Sequence, residues 1–392
     1  MAGPAGSTPG TPSVLRAMND RAALDLLVAH GPLTRTRIGE LTGLSKPTTS
    51  QILGRLESAG LVRTTGSQTG RPGPNAVLYE IRPDAAHVAA LSADPNGITA
   101  TVADITGAER GRHRIEAAAV ARDVRHRTAQ LVTEAVDGAL ARAGLGHDDL
   151  TATVIGTPGA IDPGTGRLRY APHLPGWHSR TLRAELAEVL GTPVSIENDV
   201  NLAAVAEQYE GAAQDHDDFV LAYVDEGVGA AIVLGGVLLR GATGGAGEIG
   251  YMPLPGAPLA RGGDAVAART DAGGGFQSLV AAPAVRQLAG GTDDLSVALA
   301  RDDVLDEVAR RLATGLAAVV AVVDPQLVVL SGQVAKAGGD ALRERVEAEL
   351  TGLALPRPQL RISELSGDPI LTGALRTALT EARATVFDTS TA

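Results

Sequence analysis

The chain has 392 residues, 44% of them hydrophobic but only 2% aromatic, with no cysteine and a net charge of −11. Its length exceeds one ordinary domain, so two or three are expected, with cores built from Ala, Val, Leu and Ile. Without cysteine, disulfides and thiolate metal sites are excluded, and no apolar run approaches the roughly 20 residues that span a bilayer, which predicts a cytoplasmic protein with no membrane contact.

Residues 1–12 are rich in Gly, Pro, Ser and Thr and lack the charged-then-apolar order of a signal peptide, so they read as a disordered lead-in. Ala23, Leu24, Leu27 and Val28 then predict a helix with one buried face over Asp20–Ala29, ended by Gly31-Pro32. Thr34 can cap a second short helix running through Ile38 and Leu41 to Gly43. Ser45 caps a third, which tolerates Pro47 in its first turn, buries Ile52, Leu53 and Leu56, and closes at Gly60. Lys46, Thr48, Thr49, Gln51 and Arg55 occupy its early turns and much of its remaining face. Leu61–Thr64 and Ala76–Ile81 read as two strands around a loop from Gly66 to Asn75, whose tip is Gly70-Arg71-Pro72-Gly73.

Two helices around a tight glycine turn, then a basic hairpin, make a winged helix-turn-helix. Its second helix would set Lys46, Thr48, Thr49, Gln51 and Arg55 against double-stranded DNA in the major groove, with Arg71 reaching the minor groove or phosphates. The blander reading is a small helical domain for protein contacts with a solvated polar face. Charge supports the first reading. Residues 1–84 hold nine Lys and Arg against six Asp and Glu, whereas the remainder holds 25 against 39. A mildly basic head on an acidic body suits a DNA-binding module carried by another domain.

Beyond a boundary at Pro83-Asp84 the pattern is α/β. Val88–Ser92 and Ile98–Ala103 read as paired strands, Thr153–Gly156 as another, and Val194–Glu197 as a strand feeding a helix over Val200–Tyr209. Phe219–Val224 and Ala230–Leu234 predict a hairpin, with more β-structure through Leu239. Val308–Val323 predicts a largely buried helix, Gln326–Leu330 a core strand and Gly373–Ala384 a C-terminal helix.

Four segments carry a resemblance: Gly156-Thr157-Pro158-Gly159-Ala160-Ile161-Asp162, Ala171-Pro172-His173-Leu174-Pro175-Gly176-Trp177, Glu197-Asn198-Asp199-Val200-Asn201 and Gly244-Gly245-Ala246-Gly247-Glu248-Ile249-Gly250. In this order and spacing they resemble the ROK family of repressors and sugar kinases over essentially the whole chain. The resemblance implies a two-lobed actin/hexokinase-like (ribonuclease H-like) body with a sugar in the cleft. It divides the chain into a head over 13–83 and a body over 84–392. Lobe one would take about 84–196 and the C-terminal helix, and lobe two about 197–372.

The resemblance further implies effector contacts from Asn198, Asp199 and Glu248, Asp199 standing where family kinases place their general base. The bland alternatives are a helix cap for Asp199 and a loop buttress for Glu248. Against the family's phosphate loops, Asp-x-Gly-Gly-Thr and Gly-Thr-Gly-Ile-Gly, this chain reads Asp94-Pro95-Asn96-Gly97-Ile98 and Asp225-Glu226-Gly227-Val228-Gly229. The first loop loses a glycine and a hydroxyl, and the second sets two carboxylates toward a polyanion, so no ATP cofactor and no catalytic residue is expected. The family's structural zinc, held by a His and three Cys, is expected to be absent. Tyr251 takes the His position, and Asp271–Gln277 contains no cysteine. His173 and His178, a loop pair without a carboxylate, are not expected to bind metal. Gln277 or Ser278 lies near the family's last sugar-binding Glu.

The expectation is a DNA-binding repressor responsive to a sugar or sugar phosphate, dimeric or a higher homo-oligomer because palindromic operators mirror two-fold symmetry. The alternatives are a carbohydrate kinase with an appended DNA module, and a ligand-independent regulator.

Overall fold

The computed structural model describes residues 12–68, 76–94, 97–116, 124–162, 164, 168–169, 177, 179, 181–259 and 274–388. The head opens with α1 (Pro12–His30), α2 (Arg35–Thr42) and α3 (Lys46–Ser58). The expected caps form: Thr34 Oγ1 accepts from Arg37 N at 3.2 Å, and Ser45 Oγ from Thr48 N at 3.4 Å. Gly43 ends α2 at φ +70°, where a side chain would be strained. Helix α1 begins at Pro12 rather than Asp20. Its first turns leave Val14, Leu15 and Met18 exposed, so no buried stripe reveals them to a periodicity argument. Strands β1 (Leu33–Thr34), β2 (Val62–Gln68) and β3 (Ala76–Ile81) form an antiparallel sheet in the order β1-β3-β2. Strand β2 runs past Thr64, and β1 is an addition to the two strands expected. The tip Gly70–Gly73, with Arg71, lies outside the described residues, as do residues 1–11.

The first body sheet has the order β10-β7-β4-β5-β6. Strands β4 (His87–Asp94), β5 (Gly97–Asp104) and β6 (Glu109–Glu116) are antiparallel; β7 (Leu150–Thr157) and β10 (Val194–Asn198) run parallel to β4. Two short strands, β8 (Ala160–Ile161) and β9 (Leu168–Arg169), pair beyond β7. Ala89, Leu91, Ala100 and Ile155 on one face meet α4 (Val124–Ala143) and α5 (Leu182–Leu190). Val88, Ala90, Ala152 and Val154 on the other meet the C-terminal helix.

Helix α6 (Asp199–Glu210) follows β10 directly and sits between the lobes. The second sheet, β13-β12-β11-β14-β15, comprises β11 (Phe219–Val224), β12 (Val228–Leu234), β13 (Val237–Leu238), β14 (Leu327–Ser331) and β15 (Gln359–Ile362). One face packs on α7 (Asp302–Val323) and α8 (Gln333–Leu353), and the other on Val200, Ala203 and Ala204 of α6. The opposite side of α6 meets α9 (Pro369–Val386) so closely that a Cβ on Gly373 would stand 1.8 Å from Leu202 O. The hydrophobic content of the described residues thus builds four cores, largely from small aliphatics, and Phe219, Phe276 and Phe387 each fill a different one of three of them. Among the described residues no helix is long and apolar enough to cross a membrane.

The head does not dangle. Leu24, Leu27 and Leu56 share one core with Val88 and Ile105 of the body and Leu371 and Phe387 of α9. Arg21 Nη1 donates to Arg383 O at 3.1 Å, and its guanidinium lies 5.6 Å from the Phe387 ring centre. Arg383 in turn donates to Ile105 O.

Candidate functional site

On α3, Lys46 and Gln51 are exposed and Thr48 is half-buried, its hydroxyl 2.8 Å from Ser45 Oγ. Two expected DNA contacts are placed differently. Thr49 is wholly buried; its Oγ1 donates to Ser45 O at 3.1 Å and packs where α2 approaches at Gly39. Its side chain is therefore withdrawn from the groove-facing set. Arg55 binds the buried Asp20 of α1, with Nη2 2.5 Å from Oδ1 and Nε 3.3 Å from Oδ2, which ties α3 to α1. Arg35, which the sequence reading passed over, is exposed at the start of α2 and donates to Ser50 Oγ at 3.1 Å. A hydrogen bond to a charged group contributes about 1.5–3 kcal/mol. Arg55→Ala and Asp20→Ala should therefore each lower the head's melting temperature, and the double variant should add little to the worse single one. Additive losses in thermal unfolding would show that the two side chains act independently.

In the body, three of the four resembling segments converge. Asn198, at the end of β10, caps α6 by accepting from Asn201 N at 3.0 Å, while its Nδ2 donates to Gly159 O at 3.0 Å. Glu197 Oε1 accepts from Asn198 N and Asn201 Nδ2, and its Oε2 holds Arg240 at 2.7 Å. The glycines of the last segment are needed for close approach. A Cβ on Gly244 would stand 2.2 Å from Ile161 O, and one on Gly247, at φ +93°, 1.9 Å from Ala230 O. Of the segment 171–177 only Trp177 is described, and it is buried in the first lobe's core; His173 and His178 fall outside the described residues.

Asp199 is the first residue of α6, with Oδ1 accepting from Val200 N at 2.8 Å. Burial, and then the nearby Asp225, push its carboxyl up to about 6 against the pull of those backbone N–H groups. Glu248 precedes a short 3₁₀ turn and makes no side-chain capping bond to it. Burial, and then Asp199, raise it to about 7. Two shielded carboxyls, Asp199 raising Glu248, can accept from polyol hydroxyls. A carboxyl raised to about 7 from 4.5 binds its proton more tightly in the folded chain. Stability from this group is therefore full at low pH and falls as pH rises from about 4.5 through about 7. Glu248→Gln should raise the ligand-free melting temperature at pH 8 and leave it nearly unchanged at pH 4.5. A pH-independent difference would refute that assignment.

At the first phosphate-loop position, Gly97 is required by β6, since a Cβ there would stand 2.2 Å from Ile115 O, and Ile98 points into the core. Pro95 and Asn96 lie outside the described residues. At the second, Asp225 accepts from Gln333 N at 3.2 Å and Gln333 Nε2 at 3.0 Å, while Glu226 holds Arg286 at 2.9 Å. The donor set for a structural zinc does not fit: the chain has no cysteine. The segment is instead held by backbone bonds, Gly275 N to Pro258 O at 2.7 Å and Phe276 N to Met252 O at 2.9 Å. Among the described residues no three His, Asp or Glu side chains converge as a metal group. Gln277 lies beside Gly250, its Oε1 3.4 Å from where a Cβ would stand.

The ROK family model matches residues 96–375, and the MarR family model residues 19–71. A glucokinase of Halalkalibacterium halodurans is 31% identical over 266 residues, which are 61% of this chain and 80% of the glucokinase. The DNA-binding transcriptional dual regulator NagC of Escherichia coli is 25% identical over 249 residues, 62% of this chain and 59% of NagC. A crystal structure of a ROK family transcriptional regulator, a homolog of the E. coli MLC protein, superposes with a TM-score of 0.72 at 20% identity. It covers 95% of this chain and 99% of that one, a likeness of fold.

Proposed function

The chain belongs to the ROK family, and from that premise we propose that it is a sequence-specific DNA-binding transcription regulator, a repressor whose hold on its operator responds to a sugar in the cleft. One observation carries the reading: a MarR-type head with an exposed polar face on α3 shares a continuous core with a ROK body. The similarity to NagC supports it. Lys46, Thr48 and Gln51, with Arg35 beside them and Arg71 on the wing, form the DNA face; Asn198, Asp199 and Glu248 hold the sugar. The working form is a cytoplasmic homodimer, because a palindromic operator matches a two-fold protein.

The similarity to a glucokinase and the retention of Asp199 favour a second reading, phosphoryl transfer to a sugar. Such transfer depends almost wholly on positioning and on stabilising phosphate charge. Here Asp225 and Glu226 stand at the second phosphate loop, which argues for a regulator without kinase activity. ADP release over a panel of sugars should stay at background, and turnover with any of them would overturn this.

Purified protein mixed with genomic fragments, without added ligand, should recover a short palindrome, and one sugar should release it. Failure to recover any sequence with or without sugars would remove the DNA-reading role. Asp199→Ala should keep operator affinity while requiring about tenfold or more sugar for release, the loss of one charged hydrogen bond. An unchanged response would place the effector elsewhere.

A further inference from the structure

Strands β11 and β14 are parallel and end side by side, Tyr223 opposite Ser331. Gly332, at φ +89°, then turns the chain so tightly that a Cβ would stand 2.3 Å from Val224 O. This brings the N-terminus of α8 against the turn that follows β11. In α/β folds the open N–H groups of a helix at the carboxyl end of parallel strands receive phosphate. In this chain that place is taken by its own carboxylate. Asp225 Oδ2 accepts from Gln333 N at 3.2 Å, and Oδ1 from Gln333 Nε2 at 3.0 Å and Glu226 N at 2.9 Å.

The surrounding charge has the same sign. Asp199 feels Asp225, Asp225 feels Glu226, Glu248 feels Asp199, and Tyr223 feels Asp225, Asp199 and Asp368. Among the described residues, two arginines beside these carboxylates are engaged: Arg286 by Glu226 at 2.9 Å and Arg240 by Glu197 at 2.7 Å. A phosphoryl group brings about −1.5 to −2 charges at neutral pH, into a cleft whose helix terminus is filled and whose Arg240 and Arg286 are already paired.

We infer that the ligand of this cleft is a carbohydrate without a phosphoryl group, uncharged or bearing an amine, and that Asp225, seated on the N-terminus of α8, is the residue that excludes its phosphate ester. The inference rests on the effector reading above and narrows its ligand class.

The test is isothermal titration calorimetry of the full chain. The probes are glucose, N-acetylglucosamine, glucosamine and xylose, the 6-phosphates of the three hexoses, and inorganic phosphate. An unphosphorylated hexose should bind with its 6-phosphate at least about tenfold weaker, or xylose should bind while no ester does. In Asp225→Asn, checked for an unchanged melting temperature, the 6-phosphates should gain about tenfold while an unphosphorylated ligand moves less than twofold. An ester that binds the wild type as tightly as its parent sugar overturns the inference and leaves the effector reading standing. An ester affinity unmoved in Asp225→Asn overturns the role of Asp225. Silence from every sugar and ester overturns the effector reading and the inference with it, while operator recovery would still report on the head.

Discussion

Phe387→Ala is expected to loosen the head from the body before either unfolds. The ring is fully buried in the core that Leu24 and Leu27 of α1 share with Val88 and Ile105, and the Arg21 guanidinium rests over it. Truncating a buried phenylalanine costs about 3–5 kcal/mol, the removed contacts and the residual cavity together. That loss falls on the junction, which Arg21 also ties through its bond to the Arg383 carbonyl. Calorimetry should show a low-temperature transition split from the main one, and limited proteolysis should cut near Arg82–Ala86. A single transition at the wild-type temperature would mean that the junction is held from elsewhere.

Lys46→Ala combined with Gln51→Ala should nearly abolish operator binding without altering stability. Both residues are exposed on α3, so removing them opens no cavity. A good base-edge contact discriminates by about 1–3 kcal/mol, and each phosphate contact adds about one to the salt slope. The pair should therefore weaken specific binding by about a hundredfold or more. Gln51→Ala alone should relax preference at one base position, and Lys46→Ala alone should weaken all sequences alike. Thr49→Val is the control: its hydroxyl already donates to Ser45 O inside the head, so affinity should move by less than threefold. Gel-shift titrations at two salt concentrations separate these outcomes. An equal loss in Thr49→Val would require α3 to meet DNA through a different face.

The buried position of Thr49 was missed, because its polar type placed it with the groove-facing set. The spacing of residues 49, 52, 53 and 56 as one helical stripe was the signal that could have found it. Caps were legible for a local reason, since Thr34 and Ser45 satisfy N–H groups three residues away. Strand β6 was not. Glu109–Glu116 carries six charged or imidazole side chains on an edge, and only Gly111 and Ile115 are buried, so no apolar alternation marks it. Helix α8 was hidden by Gly338-Gly339, where the chain leaves helical geometry at Gly339. At the sites, the resembling segments located Asn198, Asp199 and Glu248, but not what holds their neighbours. Asp20 and Arg55 are 35 residues apart, and Asp225 and Gln333 are 108 apart. Pairings at such distances depend on the completed fold, and no local pattern encodes them.

Helix α9 closes the first sheet, presses on α6 and carries Phe387 beneath α1, so the first and last helices of the chain belong to one folding unit. Ribosomal synthesis reaches Pro369 long after His30. At about 5–20 residues per second, the head emerges many seconds before the helix that seats it. During that interval it is a short, locally stabilised domain on a tether, with Leu24 and Leu27 lacking their final partners. The same holds after any proteolytic clip that removes α9. Such a chain would lose the seat of the head on the body, so the eighteen residues of α9, with Phe387 after them, hold the two parts of the finished molecule in register.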